Sequence, residues 1–301
     1  KYGLTSGLES LDKRKQEFWK SRIQAGNLYI NKPTTGAVAL RQPFGGMGES
    51  VVGPLIKTGG PNYVTNFLEF DEIGSPAEIA TNYDRKLLRM AKSWMRKVDH
   101  EEFKAFHTDI QKTVRAMNSY LFHANHEFRV EKDFFHIRGQ DNIFRYLPIG
   151  KVLVRVHPDD SLFEILARVS AAQIAKCKTV VSIPPKLDSQ VIRFLEHRPR
   201  KELLSKLNIE KQSDDDVIRS IPNWDRIRYA SPDRVPRQVL ETAANQGHTI
   251  ASTRILMEGR VELLHYYRSQ SICHNYHRYG NLGTRTFDQS MNYIQAPRKA
   301  T

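Results

Sequence analysis

Chemistry in this sequence could sit in its two cysteines, one acidic loop and a set of glycine-rich turns. Cys177 stands between Lys176 and Lys178. Flanking cations lower a thiol pKa and would make it a nucleophile, but a thiol at a helix-to-strand junction is more often a buried packing group. Cys273 sits in Ser271-Ile272-Cys273-His274-Asn275-Tyr276-His277. A Cys-His pair invites thiol catalysis or a metal, yet adjacent residues rarely face one another and only His277 is near. Neither role is favoured. The loop His157-Pro158-Asp159-Asp160 follows an apolar run. A dinucleotide site needs a glycine-rich turn there, so that backbone can approach the pyrophosphate. This loop has no glycine and two carboxylates that would repel phosphate. Glycines 3, 7, 26, 36, 45, 46, 48, 53, 59 and 60 crowd the opening segment. Such turns offer bare backbone N–H groups that can bind a carboxylate.

The elements that must position these groups follow from periodicity. Lys13 to Ala25 reads as a helix stopped by Gly26, and Leu28-Tyr29-Ile30 as a short strand. Ile79, Tyr83, Leu87, Met90 and Trp94 mark one apolar helix face. Phe103, Phe106, Ile110, Val114, Met117 and Leu121 mark a second, with Asp99 and Glu102 as a capping-box-like start. From 145 to 275 strands and helices alternate. Lys151–Val156 is a strand, Ser161 caps a helix to about Lys176, and Thr179–Ile183 is the next strand before Pro184-Pro185. That βαβ unit implies a parallel sheet with a right-handed crossover. Further short strands are expected at 227–230 and 249–251, and helices at 187–207 and 235–244.

The fold class is therefore α/β: a Rossmann-like parallel sheet, preceded by a helical linker and a Gly-rich flap. Four regions are expected: 1–70 the flap, 71–144 the linker, 145–285 the Rossmann-like domain and 286–301 a tail. The 301 residues are 40% hydrophobic and 26% charged, a soluble globular composition. No apolar run could span a bilayer, so no stable membrane insertion is expected. Two distant cysteines imply a reducing, cytoplasmic setting. A net charge of +13 invites nucleic acid. The cations are dispersed, however, and no nucleic-acid motif appears, so no nucleic-acid partner is expected. The chain opens at Lys1 directly on an ordered-looking motif, which makes a portion of something longer the expectation.

The opening segment resembles the aldehyde dehydrogenase family. Tyr2-Gly3-Leu4-Thr5-Ser6-Gly7, Ala25-Gly26-Asn27-Leu28-Tyr29-Ile30-Asn31 and Pro43-Phe44-Gly45-Gly46-Met47-Gly48-Glu49-Ser50 are similar to three of its segments, in order and spacing. Thr35-Gly36-Ala37-Val38 and Lys57-Thr58-Gly59-Gly60-Pro61-Asn62-Tyr63 narrow the likeness to 1-pyrroline-5-carboxylate (glutamate γ-semialdehyde) dehydrogenases. Beyond residue 139 the chain resembles the C-terminal extension of bifunctional proline-utilisation flavoenzymes, a degenerate copy of an aldehyde dehydrogenase nucleotide domain. Gly139-Gln140-Asp141-Asn142 with Arg145-Tyr146-Leu147-Pro148 is similar to its entry. Ser269-Gln270-Ser271 with His277 to Gly283 is similar to its close.

The resemblance implies a parent that oxidises proline to glutamate with FAD and NAD. Gly36 and Ala37 match the loop that anchors the α-carboxylate of glutamate γ-semialdehyde, and Phe44 the aromatic that packs on its aliphatic part. Neither cysteine matches the nucleophile motif, so no catalytic residue and no cofactor are expected in this chain. Its partners would be upstream catalytic domains and further copies in a homo-oligomer. Away from those domains, Leu28, Ile30 and Val38 would be exposed and strand 28–30 would have unpaired edges. Two other readings stay open: a noncatalytic interaction module and a basic nucleic-acid binder, which salt-dependent DNA retention would reveal.

Overall fold

The computed structural model describes residues 2–53, 56–77, 85–197, 208–277 and 279–286. Its strands are β1 (Tyr2–Gly3), β2 (Thr5–Leu8), β3 (Asn27–Ile30), β4 (Met47–Gly48), β5 (Lys132–Asp133), β6 (Gln140–Pro148), β7 (Lys151–Arg155), β8 (Lys178–Ile183), β9 (Asn208–Lys211), β10 (Arg226–Arg228), β11 (Ile250–Ala251) and β12 (Tyr267–Asn275). Its helices are α1 (Lys13–Arg22), α2 (Arg85–Val98), α3 (His107–His123), α4 (Leu162–Ile174), α5 (Gln190–Glu196), α6 (Asp214–Ser220), α7 (Arg237–Asn245) and α8 (Gly259–Glu262). Compact packing groups these into two discontinuous units. One takes Lys1–Leu68, Arg129–Leu147 and Arg268–Thr301; the other takes Glu69–Phe128 and Pro148–Tyr267.

In the second unit the order β9-β8-β7-β10-β11 is parallel throughout. Counted along the chain this is 3-2-1-4-5, the doubly wound Rossmann order, and the fold class is α/β as the sequence implied. Apolar residues of this sheet and its helices, among them Leu153, Val217, Ile227 and Val239, form one buried cluster. A full capping box starts α4: Ser161 Oγ accepts from Glu164 N, and a Glu164 carboxylate oxygen accepts from Ser161 N. The face of α2 carries buried Leu87, Met90 and Trp94, while Ile79 and Tyr83 lie outside the described residues. In α3 the regular helix starts at His107, because a 3₁₀ turn at Glu101–Phe106 precedes it and no Asp99 cap forms. The helix expected at 187–207 is described only as α5, since 198–207 lie outside the described residues.

In the first unit a five-stranded sheet has the order β2-β3-β12-β6-β5. Here two expectations fail. Strand β3 has neither edge free: β2 and β12 flank it in parallel, and Leu28 and Ile30 are each 1% exposed. The partner β12 lies some 240 residues downstream, and no local pattern announces it. The helix α1 stops at Arg22, with Ile23 already extended, so Gly26 does not terminate it. Gly26 serves a contact instead. A methyl group built there would stand 1.8 Å from the carbonyl oxygen of Gly45, a distance only hydrogen permits.

Candidate functional site

The residues singled out for binding lie on the loop between β3 and β4. Its tip folds on itself, with Val38 N donating to Gln42 O at 3.2 Å and Gln42 N to Val38 O at 2.8 Å. Gly36 precedes this tip at φ +107°, a conformation that favours glycine. Among the described residues the backbone N–H groups of Gly36 and Ala37 have no protein acceptor, and both residues are exposed. A methyl group on Gly36 would meet Lys32 Nζ and Gln42 Oε1, each at 3.7 Å, so a cation stands beside these donors. Gln42 fastens the loop from below, since its Nε2 donates to Asn142 Oδ1 at 3.2 Å and Cys273 Sγ at 3.0 Å.

Phe44 lies past the tip, with its ring partly exposed. Its N–H donates to Thr58 O at 3.0 Å, and its carbonyl accepts from Thr58 N at 2.9 Å. The flanking turn is gripped by Asn27, which is 1% exposed. Asn27 Nδ2 donates to Pro43 O at 2.9 Å, and Asn27 Oδ1 accepts from Gly45 N at 3.1 Å. From β12, Ser271 Oγ donates to Pro43 O at 2.7 Å. Both sides of Phe44 are thus hydrogen-bonded to strands of the sheet.

The cysteines are placed as packing groups. Cys177 is buried, its thiol directed at Tyr266 O at 3.5 Å, while Lys176 and Lys178 are exposed and project into solvent. Cys273 is 1% exposed, and burial pushes its thiol pKa up. Its neighbour His274 pairs with Asp141 at 3.5 Å, whereas His277 Nδ1 lies against Gly139 O at 2.9 Å. Strand alternation turns His274 to the face opposite the thiol, and His277 lies beyond β12 against Gly139.

In the parallel sheet the strand order reverses between β7 and β10, where such folds hold their ligands. Arg168, fully buried on α4, fills the carboxyl ends of both strands. Its Nη1 donates to Arg155 O at 2.7 Å and Arg228 O at 3.1 Å, and its Nε to Glu164 O at 2.9 Å. Its Nη2 pairs with buried Asp160, which also accepts from Arg234 Nη1 at 2.8 Å. The expectation of two bare carboxylates in this loop is corrected. Only Asp159 is exposed, and Asp160 is neutralised by two guanidinium groups. The residues present do not fit a dinucleotide, because a side chain occupies the crevice.

Sequence reasoning missed Asn27, Gln42, Ser271 and Arg168. A signal existed for Arg168: it is the one cation in the largely apolar stretch Leu162–Ile174, eight residues after Asp160. Asn27 and Ser271 gave none, because each acts on a turn distant in sequence.

Residues 1–73 match the model of the aldehyde dehydrogenase family. The chain is 43% identical over 94 residues to the bifunctional protein PutA of Rhizobium meliloti, covering 31% of this chain and 7% of that protein. It is 41% identical over 63 residues to the 1-pyrroline-5-carboxylate dehydrogenase of Geobacillus sp. (strain WCH70), covering 21% of this chain and 12% of that one. The structure of Proline Utilization A from Corynebacterium freiburgense superposes with a TM-score of 0.64 at 28% identity, covering 93% of this chain and 23% of that chain. The chain thus spans a minor part of each relative's length. Together these matches tie residues 1–73 to the aldehyde dehydrogenase family and, over 93% of the chain, show similarity to part of a proline-utilisation protein.

Proposed function

We propose that the chain is the C-terminal part of a bifunctional enzyme of proline catabolism, whose dehydrogenase half oxidises glutamate γ-semialdehyde to glutamate. In this reading the chain contributes the substrate anchor loop and a noncatalytic Rossmann-like domain that covers the site and builds a homo-oligomer. NAD and FAD would be held by upstream domains, where the thiol nucleophile also resides. The buried cysteines, neither of them in a disulfide, accord with a reducing cytoplasm, and among the described residues no helix is long and apolar enough to cross a membrane.

The observation that carries the reading is the pair of adjacent backbone donors at Gly36 and Ala37 without acceptors, beside Lys32. A carboxylate accepts such a pair, and the lysine supplies the opposite charge. The Phe44 ring, fixed through its own backbone, then covers the methylene chain and leaves the aldehyde end outermost. Exposed Tyr2, Val52 and Phe67 support burial of this unit's surface in an assembly.

The test is NADH formation from glutamate γ-semialdehyde, measured on the chain alone and on the complete polypeptide. The complete polypeptide turns over and the chain alone does not. Turnover by the chain alone that Cys177→Ala or Cys273→Ala abolishes would overturn the reading.

A further inference from the structure

Lys57 is the only lysine besides Lys97 whose residue is buried among the described residues, with 2% of its surface exposed. Lys97 donates to two carbonyls of its own unit, Phe194 O and His197 O. Lys57 has a narrower task. Its Nζ donates to Asn27 Oδ1 at 3.0 Å and to Gly45 O at 2.5 Å, and no carboxylate among the described residues pairs with it. Burying an amine without a counter-charge is costly, and burial alone lowers its pKa to about 7. A methionine of similar length would fill the space without that cost. What methionine could not do is hold Asn27 Oδ1 and Gly45 O together.

The consequence falls on Phe44. Gly45 N and Pro43 O are bound to Asn27, Pro43 O also to Ser271, and Gly45 O to Lys57. Phe44 N and O are bound to Thr58. Lys57 Nζ completes the set by bridging the turn to the side chain that grips it. Every backbone polar group from Pro43 O to Gly45 O is thereby fixed, in a stretch whose Phe44 is still 37% exposed. An exposed aromatic on so constrained a backbone is pre-organised for a ligand.

We propose that Lys57 is a positioning residue for the aldehyde substrate, holding the Pro43–Gly45 turn through Asn27 so that the Phe44 ring meets the substrate's methylene chain. This rests on the semialdehyde reading above. It goes further in assigning a role to a residue that touches no substrate.

The test is steady-state kinetics of the complete polypeptide carrying Lys57→Met, Lys57→Gln or Phe44→Ala. For Lys57→Met the KM for glutamate γ-semialdehyde should rise about tenfold with kcat within about twofold, as loss of uniform binding requires. The KM for NAD should not change, and Lys57→Gln, which keeps a donor, should recover most of the loss. If Phe44→Ala raises the semialdehyde KM and Lys57→Met does not, the positioning role is overturned while the substrate reading stands. If Phe44→Ala also leaves that KM unchanged, both fall. Should Lys57→Met fail to fold, Lys57→Gln decides: a semialdehyde KM rise of about threefold with the NAD KM and kcat unchanged supports the role, and an unchanged semialdehyde KM overturns it. Equal losses in both KM values and in kcat overturn it.

Discussion

The guanidinium of Arg168 donates to the carbonyl oxygen of Arg228 at 3.1 Å, and from the same nitrogen to that of Arg155 at 2.7 Å. One side chain therefore ties the carboxyl ends of β7 and β10 where a doubly wound sheet opens its ligand crevice. Calorimetry of the chain with NAD should show no saturable heat; a micromolar dissociation constant would refute this account of the sheet.

Removing the same side chain tests its structural weight. Arg168→Leu leaves Asp160 buried with Arg234 alone. Breaking a buried pair by deleting one partner should cost about 3 kcal/mol. Urea denaturation should report that loss, and Asp160→Asn added to Arg168→Leu should recover part of it. No change in the midpoint would show that the pair is dispensable.

Gly26 offers a purely steric test. Its Cβ position stands 1.8 Å from Gly45 O, so Gly26→Ala must displace the turn that carries Phe44. Overpacking of this kind costs about 1–3 kcal/mol. A thermal midpoint equal to that of the parent chain would mean that the close approach is not maintained in solution.

Much of the parallel sheet was legible because its signals are local. An apolar run, a Ser161 cap and a Pro184-Pro185 stop mark β7, α4 and β8 within some thirty residues. The first sheet was not legible in the same way. β3 carries a strand pattern, but its partner β12 comes from the far end of the chain, so Leu28 and Ile30 looked uncovered. The loop of Gly36, Ala37 and Phe44 was found through resemblance. The groups that hold it were not, since Asn27, Lys57 and Ser271 meet only after the sheet is assembled.

Lys57 predicts a pH dependence of stability. Its folded pKa, near 7, lies below the ordinary lysine value of 10.5. Between those values the unfolded chain binds a proton that the folded chain does not, so this group makes stability rise with pH. The slope is about 1.4 kcal/mol per pH unit at most. The penalty is fully present below pH 7 and fades towards the unfolded value. Between pH 7 and 9.5 the urea midpoint of the unsubstituted chain should rise relative to that of Lys57→Met, which lacks the titrating amine. Parallel curves would show that Lys57 is not buried as described.

Both thiols should be silent in the native state. Cys177 and Cys273 are buried, and burial pushes the latter's pKa up. A disulfide reagent at pH 8 should label neither until denaturant is added, and then both. Fast native labelling of Cys273, lost on Cys273→Ala, would return it to the list of candidate nucleophiles.

The anchor loop is tested most directly by one substitution in the complete polypeptide. Gly36→Ala places a side chain at φ +107°, where backbone strain of about 1–2 kcal/mol must be relieved by moving the N–H groups of Gly36 and Ala37. The measurement is the KM for glutamate γ-semialdehyde against kcat. The KM should rise about tenfold, with kcat within about twofold and the KM for NAD unaltered. A semialdehyde KM equal to that of the unsubstituted enzyme would contradict it.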